Sequence, residues 1–480
     1  MSNKICLEDI VKDSGVRFGT SGARGLVSDM TDRVCWAYTT AFLQEVIPGA
    51  KRISLGHDLR PSSPQIIQAC AAAIQARGLD VVYAGALPTP ALAYYALQEQ
   101  IPAIMITGSH IPFDRNGIKF YTDEGEISKE HEIAITQAVV PDAGTYSSAT
   151  DLIPVTASLD MYRERYRKFF PKNFLSGKRI GVYEHSSVAR DFLMELLKQF
   201  GAEVVSLGRT NNFVPIDTEA VSEEDQVLGQ KWAAAHRLDA LLSTDGDADR
   251  PLIGDEAGRW LRGDVIGLLC ARYLNAHTVV TPVSSTTAIE RCDAFTHVMR
   301  TKIGSPYVIS AMQTALIAER SGVVGFEANG GFLVGNNFER NGCKLEPLPT
   351  RDAVLPMLAL LALAREQGVP LSRLSASLPQ RFTASDRIKE FPTERSQAMI
   401  ANLASSRQNV LTVLGDACGN VVSQDETDGL RLTFTSGQII HLRPSGNAPE
   451  LRCYAETDSE VQAKELVKMT LERVRIAGEI

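Results

Sequence analysis

The sequence predicts an α/β protein made of three related α/β domains and a small C-terminal α+β domain. Three observations lead there. The chain has 480 residues, more than one hydrophobic core fills, so three or four domains are expected. A strand–helix–strand pattern recurs along it, and the final stretch reads instead as short strands parted by turns.

In the first unit Lys51-Arg52-Ile53-Ser54-Leu55-Gly56 reads as a strand and turn, 64–77 as a helix, and Gly78-Leu79-Asp80-Val81-Val82-Tyr83-Ala84-Gly85 as a second strand. The order returns at Lys178-Arg179-Ile180-Gly181-Val182-Tyr183, with a helix over 190–200 and a strand in Gly201-Ala202-Glu203-Val204-Val205-Ser206-Leu207-Gly208. A weaker third version runs from Thr278-Val279-Val280-Thr281-Pro282-Val283 through a short helix to His297-Val298-Met299-Arg300-Thr301. Strand, helix, strand is the handed crossover that builds a parallel sheet. The glycine opening the second strand in the first two units suits a left-handed helix stop. Farther on, Asn409-Val410-Leu411-Thr412-Val413-Leu414, Gly429-Leu430-Arg431-Leu432-Thr433-Phe434 and Gln438-Ile439-Ile440-His441-Leu442 are expected as antiparallel strands, closed by a helix over 460–477. The Ala-, Ser- and Thr-rich stretch 141–152 marks a first boundary, with others near Arg262 and in 370–381. Domains are thus expected at 1–152, 153–262, 263–375 and 376–480.

Composition narrows the class. Hydrophobic content of 44% and charged content of 22% are those of a soluble globular protein. A net charge of −8 argues against a nucleic-acid binder but leaves room for a local basic pocket. No stretch is apolar enough for long enough to span a bilayer, and the N-terminus lacks a signal peptide's apolar core. The eight cysteines are scattered without CxxC spacing, which fits reduced thiols in the cytoplasm, with Cys70 and Cys270 in the core.

Chemistry concentrates at Leu238-Asp239-Ala240-Leu241-Leu242-Ser243-Thr244-Asp245-Gly246-Asp247-Ala248-Asp249-Arg250. An apolar strand ends in three carboxylates at alternate positions. Their mutual repulsion calls for a counter-charge, and a hard divalent cation held by oxygens is the natural one. A polar turn is the plain alternative. An EF-hand fits the spacing of Asp245, Asp247, Asp249 and Glu256, but Arg250 stands where its sixth position needs glycine and a strand precedes it.

Three more loops are ambiguous singly. Ile104-Met105-Ile106-Thr107-Gly108-Ser109-His110-Ile111-Pro112 carries a serine whose hydroxyl glycine is expected to turn outward. Such a hydroxyl needs a base or metal to become a nucleophile, and a polar loop explains the segment equally well. Arg443-Pro444-Ser445-Gly446-Asn447-Ala448-Pro449-Glu450-Leu451-Arg452 offers hydroxyl, amide, backbone and guanidinium donors to an anion such as phosphate, or is a generic turn. Gly325-Phe326-Glu327-Ala328-Asn329-Gly330-Gly331-Phe332 offers an acceptor and a donor to sugar hydroxyls, or no ligand at all.

In this order and at these separations the loops resemble the α-D-phosphohexomutase superfamily along essentially the whole chain. The resemblance implies mixed sheets in the three α/β domains, a fourth domain like the TATA-box-binding protein, and a central cleft. It implies phosphorylation of Ser109 and one Mg²⁺ per chain on Asp245, Asp247, Asp249 and the phosphoserine. The sugar loop falls on Glu327 to Gly331 and the phosphate loop on Arg443 to Pro449, so Glu327, Asn329, Arg443, Ser445, Gly446, Asn447 and Arg452 are expected to bind substrate. Phe18-Gly19-Thr20-Ser21-Gly22-Ala23-Arg24-Gly25, Asn116 to Lys119 and Thr301-Lys302-Ile303-Gly304-Ser305 match further active-site segments, adding Arg24, Lys119 and Lys302. Three departures stand out: Ile111 for the usual asparagine, Asn447-Ala448 for Thr-Glu, and Asn329 and Gly331 for the usual serine and histidine of the sugar loop.

The implied activity is interconversion of hexose 6- and 1-phosphates through phosphoserine and a hexose 1,6-bisphosphate, which also serves as activator. Mannose phosphates are expected first, with glucose and glucosamine phosphates as alternatives. Arg24, Lys119 and Arg250 would stabilise the transferring group, and Lys119 could move a proton if its pKa were lowered. A phosphatase and a non-catalytic sugar-phosphate sensor compete. The expected partners are small hexose phosphates, without nucleic acid or membrane, for a cytoplasmic monomer or homodimer.

Overall fold

The computed structural model describes residues 4–19, 22–141, 152–416, 418–445 and 449–479. One strand order occurs three times. In the first sheet Arg52–His57 lies between parallel neighbours Asp80–Ala86 and Ala103–Ile106, and Arg115–Thr122 runs antiparallel beside the latter. In the second, Arg179–Tyr183 lies between Glu203–Leu207 and Ala240–Thr244, with Pro251–Gly254 antiparallel. In the third, Thr278–Pro282 lies between His297–Thr301 and Val323–Phe326, with Phe332–Val334 antiparallel.

The sheets are therefore mixed, and in each a tight loop joins the third strand to the antiparallel fourth. These loops, 107–114, 245–250 and 327–331, leave the C-terminal end of a parallel strand, where α/β folds place their chemistry. They carry Ser109, the three aspartates and Glu327. Ala103–Ile106 and Ala240–Thr244 are buried at every position. That accounts for continuous apolar runs rather than alternation.

The fourth sheet is antiparallel throughout, in the order Phe382–Ile388, Leu451–Thr457, Ile439–Pro444, Leu430–Phe434 and Val421–Asp425. The expected strand at Asn409 to Leu414 is not one of them. Arg407–Leu414 is a helix, capped by Ser406, whose hydroxyl accepts from the Asn409 N–H at 3.1 Å. It buries Val410 and Leu414, four residues apart, so the apolar period is helical although the composition is β-branched.

One apolar cluster runs from the helix Thr89–Glu99 through Ala157–Phe169 and Arg190–Gln199 to Val354–Gln367, so the first three domains share a core. The fourth has its own. It docks on the third through Glu456, which accepts the Thr287 N–H at 3.0 Å and the Thr287 hydroxyl at 2.5 Å. Cys70 and Cys270 are core residues. No helix among the described residues is long and apolar enough to cross a membrane.

Asp352 ties the second domain to the third. Fully buried, it accepts the Tyr162 hydroxyl at 2.7 Å, the Tyr166 hydroxyl at 2.5 Å and the Val354 N–H at 2.9 Å, so it also caps the helix Val354–Gln367. Asp352→Ala, which leaves those donors unpaired, is expected to cost about 3 kcal/mol, and Tyr162→Phe about 1 kcal/mol. Denaturant midpoints check this; equal midpoints for Asp352→Ala and wild type would contradict it.

Candidate active site

The serine loop is held from below by an arginine. Arg60 lies 3.3 Å from Asp58 and donates to the carbonyls of Ser109, Ile111, Pro112 and Arg115 at 2.6–2.8 Å. Its planar fork fixes three carbonyls of the loop and that of the first residue of the following strand. A Cβ on Gly108 would stand 2.5 Å from the Arg60 guanidinium carbon, so the glycine makes room for that cation. The left-handed backbone belongs to Ser109 itself, at φ +53°, supported by its N–H bond to Thr107 Oγ1 at 2.8 Å. Nor does the hydroxyl turn outward as expected. It is fully buried and donates to Asp245 Oδ2 at 2.6 Å, because the second domain's loop packs against it. His110 Nδ1 lies 3.3 Å from Ser109 Oγ. Arg250 and burial lower its pKa to about 3, so the ring is neutral.

Asp245, Asp247 and Asp249 are buried and bring one oxygen each within 4.8 Å of the others. Lys119 Nζ lies 2.7 Å from Asp247 Oδ2 and 2.9 Å from Asp249 Oδ2. The Thr89 hydroxyl donates to Asp247 Oδ2 at 2.7 Å, and Arg351 Nη2 lies 2.8 Å from Asp249 Oδ2. Arg250 Nε lies 3.6 Å from Asp249 Oδ1. Among the described residues, Asp247 Oδ1 and Asp249 Oδ1 are buried and accept no hydrogen bond. Orphaned carboxylate oxygens in an all-oxygen cluster suit a hard divalent cation.

Charge is shared unequally. Burial and its two neighbouring aspartates push the Asp245 carboxyl well up. Asp247 and Asp249 are held down despite burial, the first chiefly by Lys119 and the second by Arg351. Burial works to lower the Lys119 pKa, but the two carboxylates outweigh it and raise it. With these two carboxylates beside it Lys119 is held as an ammonium, its pKa raised where proton transfer would need it lowered. Burial, then Arg250 and Arg351, bring Arg24 down to about 10, which places three guanidinium groups together. Behind the loop, His185 Nε2 donates to the Thr244 carbonyl at 2.9 Å, and burial lowers this ring to about 4.

Glu327 and Asn329 are buried at the third loop. Thr218 Oγ1 donates to the Asn329 carbonyl at 2.8 Å, and Arg351 Nη1 donates to Glu327 Oε2 at 3.3 Å. Lys302 is exposed, 5.9 Å above the Tyr307 ring, and the next N–H, of Ile303, donates to Asp428 at 3.0 Å. Asp428 also lies 3.4 Å from Arg443 Nε, which joins the Lys302 loop to the fourth domain. Arg443 and Arg452 are cross-strand partners, and Arg387 pairs with Arg452 from the other side. A row of like charges is destabilising without an anion beside it, and Glu450 partly supplies one, 3.5 Å from Arg387 and 3.7 Å from Arg452. Ser445 is buried, and its N–H donates to the Glu450 carbonyl at 2.8 Å. Gly446 and Asn447 lie outside the described residues, as do Thr20 and Ser21 of the Arg24 segment. Glu219 acts electrostatically on both Arg250 and Arg452.

Sequence reading missed Asp58, Arg60, Thr89, Thr218, Arg351 and Arg387. Asp58-Leu59-Arg60 carried a usable signal, since charges directly follow an apolar strand just as the three aspartates do. The other four carry no motif.

Four family models match in chain order. They are the phosphoglucomutase/phosphomannomutase alpha/beta/alpha domain I over residues 15–142, domain II over 161–258, domain III over 262–382, and the C-terminal domain over 389–473. A phosphomannomutase of Salmonella muenchen is 47% identical over 478 residues, 99% of each chain. A phosphomannomutase of Sinorhizobium fredii is 45% identical over 468 residues, covering 95% of this chain and 98% of that one. A phosphoglucosamine mutase of Nitratidesulfovibrio vulgaris (strain Miyazaki F) is 30% identical over 483 residues, covering 95% and 98%. Two crystal structures share the fold. A phosphoglucomutase/phosphomannomutase family protein from Burkholderia thailandensis has a TM-score of 0.72 at 19% identity, covering 96% of this chain and 97% of that one. The Aspergillus fumigatus N-acetylphosphoglucosamine mutase, in complex with GlcNAc-6P and magnesium, has a TM-score of 0.60 at 15% identity, covering 98% of each.

Two outcomes follow from the loop supports. Arg60→Met strands Asp58 and four carbonyls, and is expected to cost about 3–5 kcal/mol in urea unfolding; a loss below about 1 kcal/mol would contradict the account. His185 has a folded pKa of about 4, below its ordinary 6.5. Its contribution to stability is full above pH 6.5 and is lost as pH falls from there to about 4, because the unfolded chain takes up the proton first. His185→Asn is expected to flatten the pH dependence of stability in that window, and an unchanged slope would speak against it.

Proposed function

The chain belongs to the phosphoglucomutase/phosphomannomutase family, and we propose that it interconverts mannose 6-phosphate and mannose 1-phosphate with Ser109 as phosphoryl carrier. The observation that carries the reaction is the 2.6 Å bond from Ser109 to Asp245, which sets a hydroxyl of the first domain on the carboxylate cluster of the second. Whole-chain identities of 47% and 45% to phosphomannomutases, against 30% to a phosphoglucosamine mutase, support mannose as the sugar.

A phosphoserine at 109 carries about two negative charges into a site already crowded with carboxylates. Lys119, Arg24 and Arg250 supply fixed positive charge around it. Asp245, Asp247 and Asp249, with the phosphoserine, would hold one Mg²⁺, which when bound neutralises charge developing on the transferring group. Glu327 and Asn329 present acceptor and donor groups to the sugar hydroxyls. Lys302, Arg443, Ser445, Gly446, Asn447 and Arg452 hold the phosphate that is not reacting.

The facing sugar hydroxyl takes the phosphoryl group as the P–Oγ bond breaks and its proton passes to the departing Oγ, giving a hexose 1,6-bisphosphate and the free Ser109 hydroxyl. After the bisphosphate turns over in the cleft, its other phosphoryl returns to Ser109 and the isomeric monophosphate leaves. Added hexose 1,6-bisphosphate activates because it phosphorylates Ser109 directly. Water competes for the group, so the fourth domain must close the cleft during transfer. The unpaired cysteines fit work in the cytoplasm.

Purified enzyme with Mg²⁺ and a trace of hexose 1,6-bisphosphate is expected to turn over mannose 1-phosphate in preference to the glucose and glucosamine 1-phosphates. Turnover of glucosamine 1-phosphate alone would overturn the assignment. Intact mass is expected to show one phosphoryl group on wild type and none on Ser109→Ala, with turnover down by about three orders of magnitude or more. A phosphoryl group that survives Ser109→Ala would exclude Ser109 as the carrier.

A further inference from the structure

The loop that carries Glu327 has glycine at 331, and the space beside it is filled from a different strand. The stem of Arg351, in Leu348–Asp352, packs so closely over Gly331 that a Cβ there would stand 2.6 Å from Arg351 Cδ and 2.7 Å from Cγ. The Arg351 side chain is 4% exposed. Its Nε donates to Asp249 Oδ2 at 3.1 Å with Nη2 2.8 Å from the same oxygen, while Nη1 donates to Glu327 Oε2 at 3.3 Å. One planar cation thus joins the carboxylate cluster of the second domain to the sugar loop of the third. Together with Lys119 it occupies Oδ2 of Asp249, leaving Oδ1 without a hydrogen bond among the described residues. The next residue, Asp352, anchors the strand end through Tyr162 and Tyr166, so the guanidinium is presented from a fixed backbone.

We propose that Arg351 is a positioning residue that couples sugar recognition to phosphoryl transfer, holding Glu327 against the carboxylate cluster in a space that glycine at 331 leaves open. The proposal rests on the reading of Glu327 as the sugar-binding carboxylate. A lysine could not serve both partners in this way, because a single ammonium is a point charge and not a fork. A side chain at 331 would have to push the Arg351 stem aside.

The test is binding of mannose 6-phosphate by calorimetry in an S109A background, where no turnover interferes. E327Q and R351M are each expected to weaken binding about tenfold, and the E327Q/R351M double variant about tenfold as well rather than about a hundredfold, because Arg351 acts through Glu327. G331A leaves every charge in place and is expected to weaken binding by displacing Arg351, with no further loss when added to R351M. It carries the test if R351M fails to fold, which thermal unfolding of each variant shows. Multiplying losses for E327Q and R351M, or wild-type affinity in G331A, would overturn the proposal while leaving the functional reading intact. An E327Q that binds like wild type would overturn both.

Discussion

Three buried carboxylates within 4.8 Å of one another are the constraint on which the site depends. Burial alone would force them to take up protons, so charged partners must be supplied from nearby. Lys119 comes from the first domain, Arg250 from the aspartate loop itself and Arg351 from the third domain. The hydroxyls of Thr89 and Ser109 complete the set. Satisfying one cluster therefore requires the first three domains to meet, and the shared apolar core holds them there.

Repetition makes that meeting possible. Each of the first three sheets turns from its third strand to its fourth through a loop at the same topological place. One loop carries the serine, one the aspartates and one Glu327. The fold thus provides three equivalent positions, and the sequence gives each a different chemistry. Their supports differ too. The serine loop rests on Arg60, the aspartate loop on His185 and its neighbours, and the Glu327 loop on Thr218 and Arg351.

What could be read from the sequence was local. The aspartates, Ser109 and Glu327 each sit within a few residues of a buried strand, so the apolar run and the polar break appear in one window. The bridging residues do not, since Arg351 is 102 positions from Asp249 and Thr89 is 158 from Asp247. The charge balance at Lys119 is equally non-local: burial works to lower its pKa, but Asp247 and Asp249, far along the chain, raise it. The strand expected at Asn409 to Leu414 failed locally. Its β-branched composition points to a strand, whereas the Ser406 cap and the four-residue spacing of Val410 and Leu414 make it a helix.

The central claim is that the three aspartates form one cation site whose counter-charges tie the domains together. Diffraction from crystals soaked in Mn²⁺, with anomalous data collected at the manganese edge, tests it most directly. The account predicts one anomalous peak per chain bounded by Asp245, Asp247 and Asp249, with Arg351 still joining Asp249 to Glu327. A peak elsewhere, or none at that cluster in a soaked and catalytically competent crystal, would contradict it.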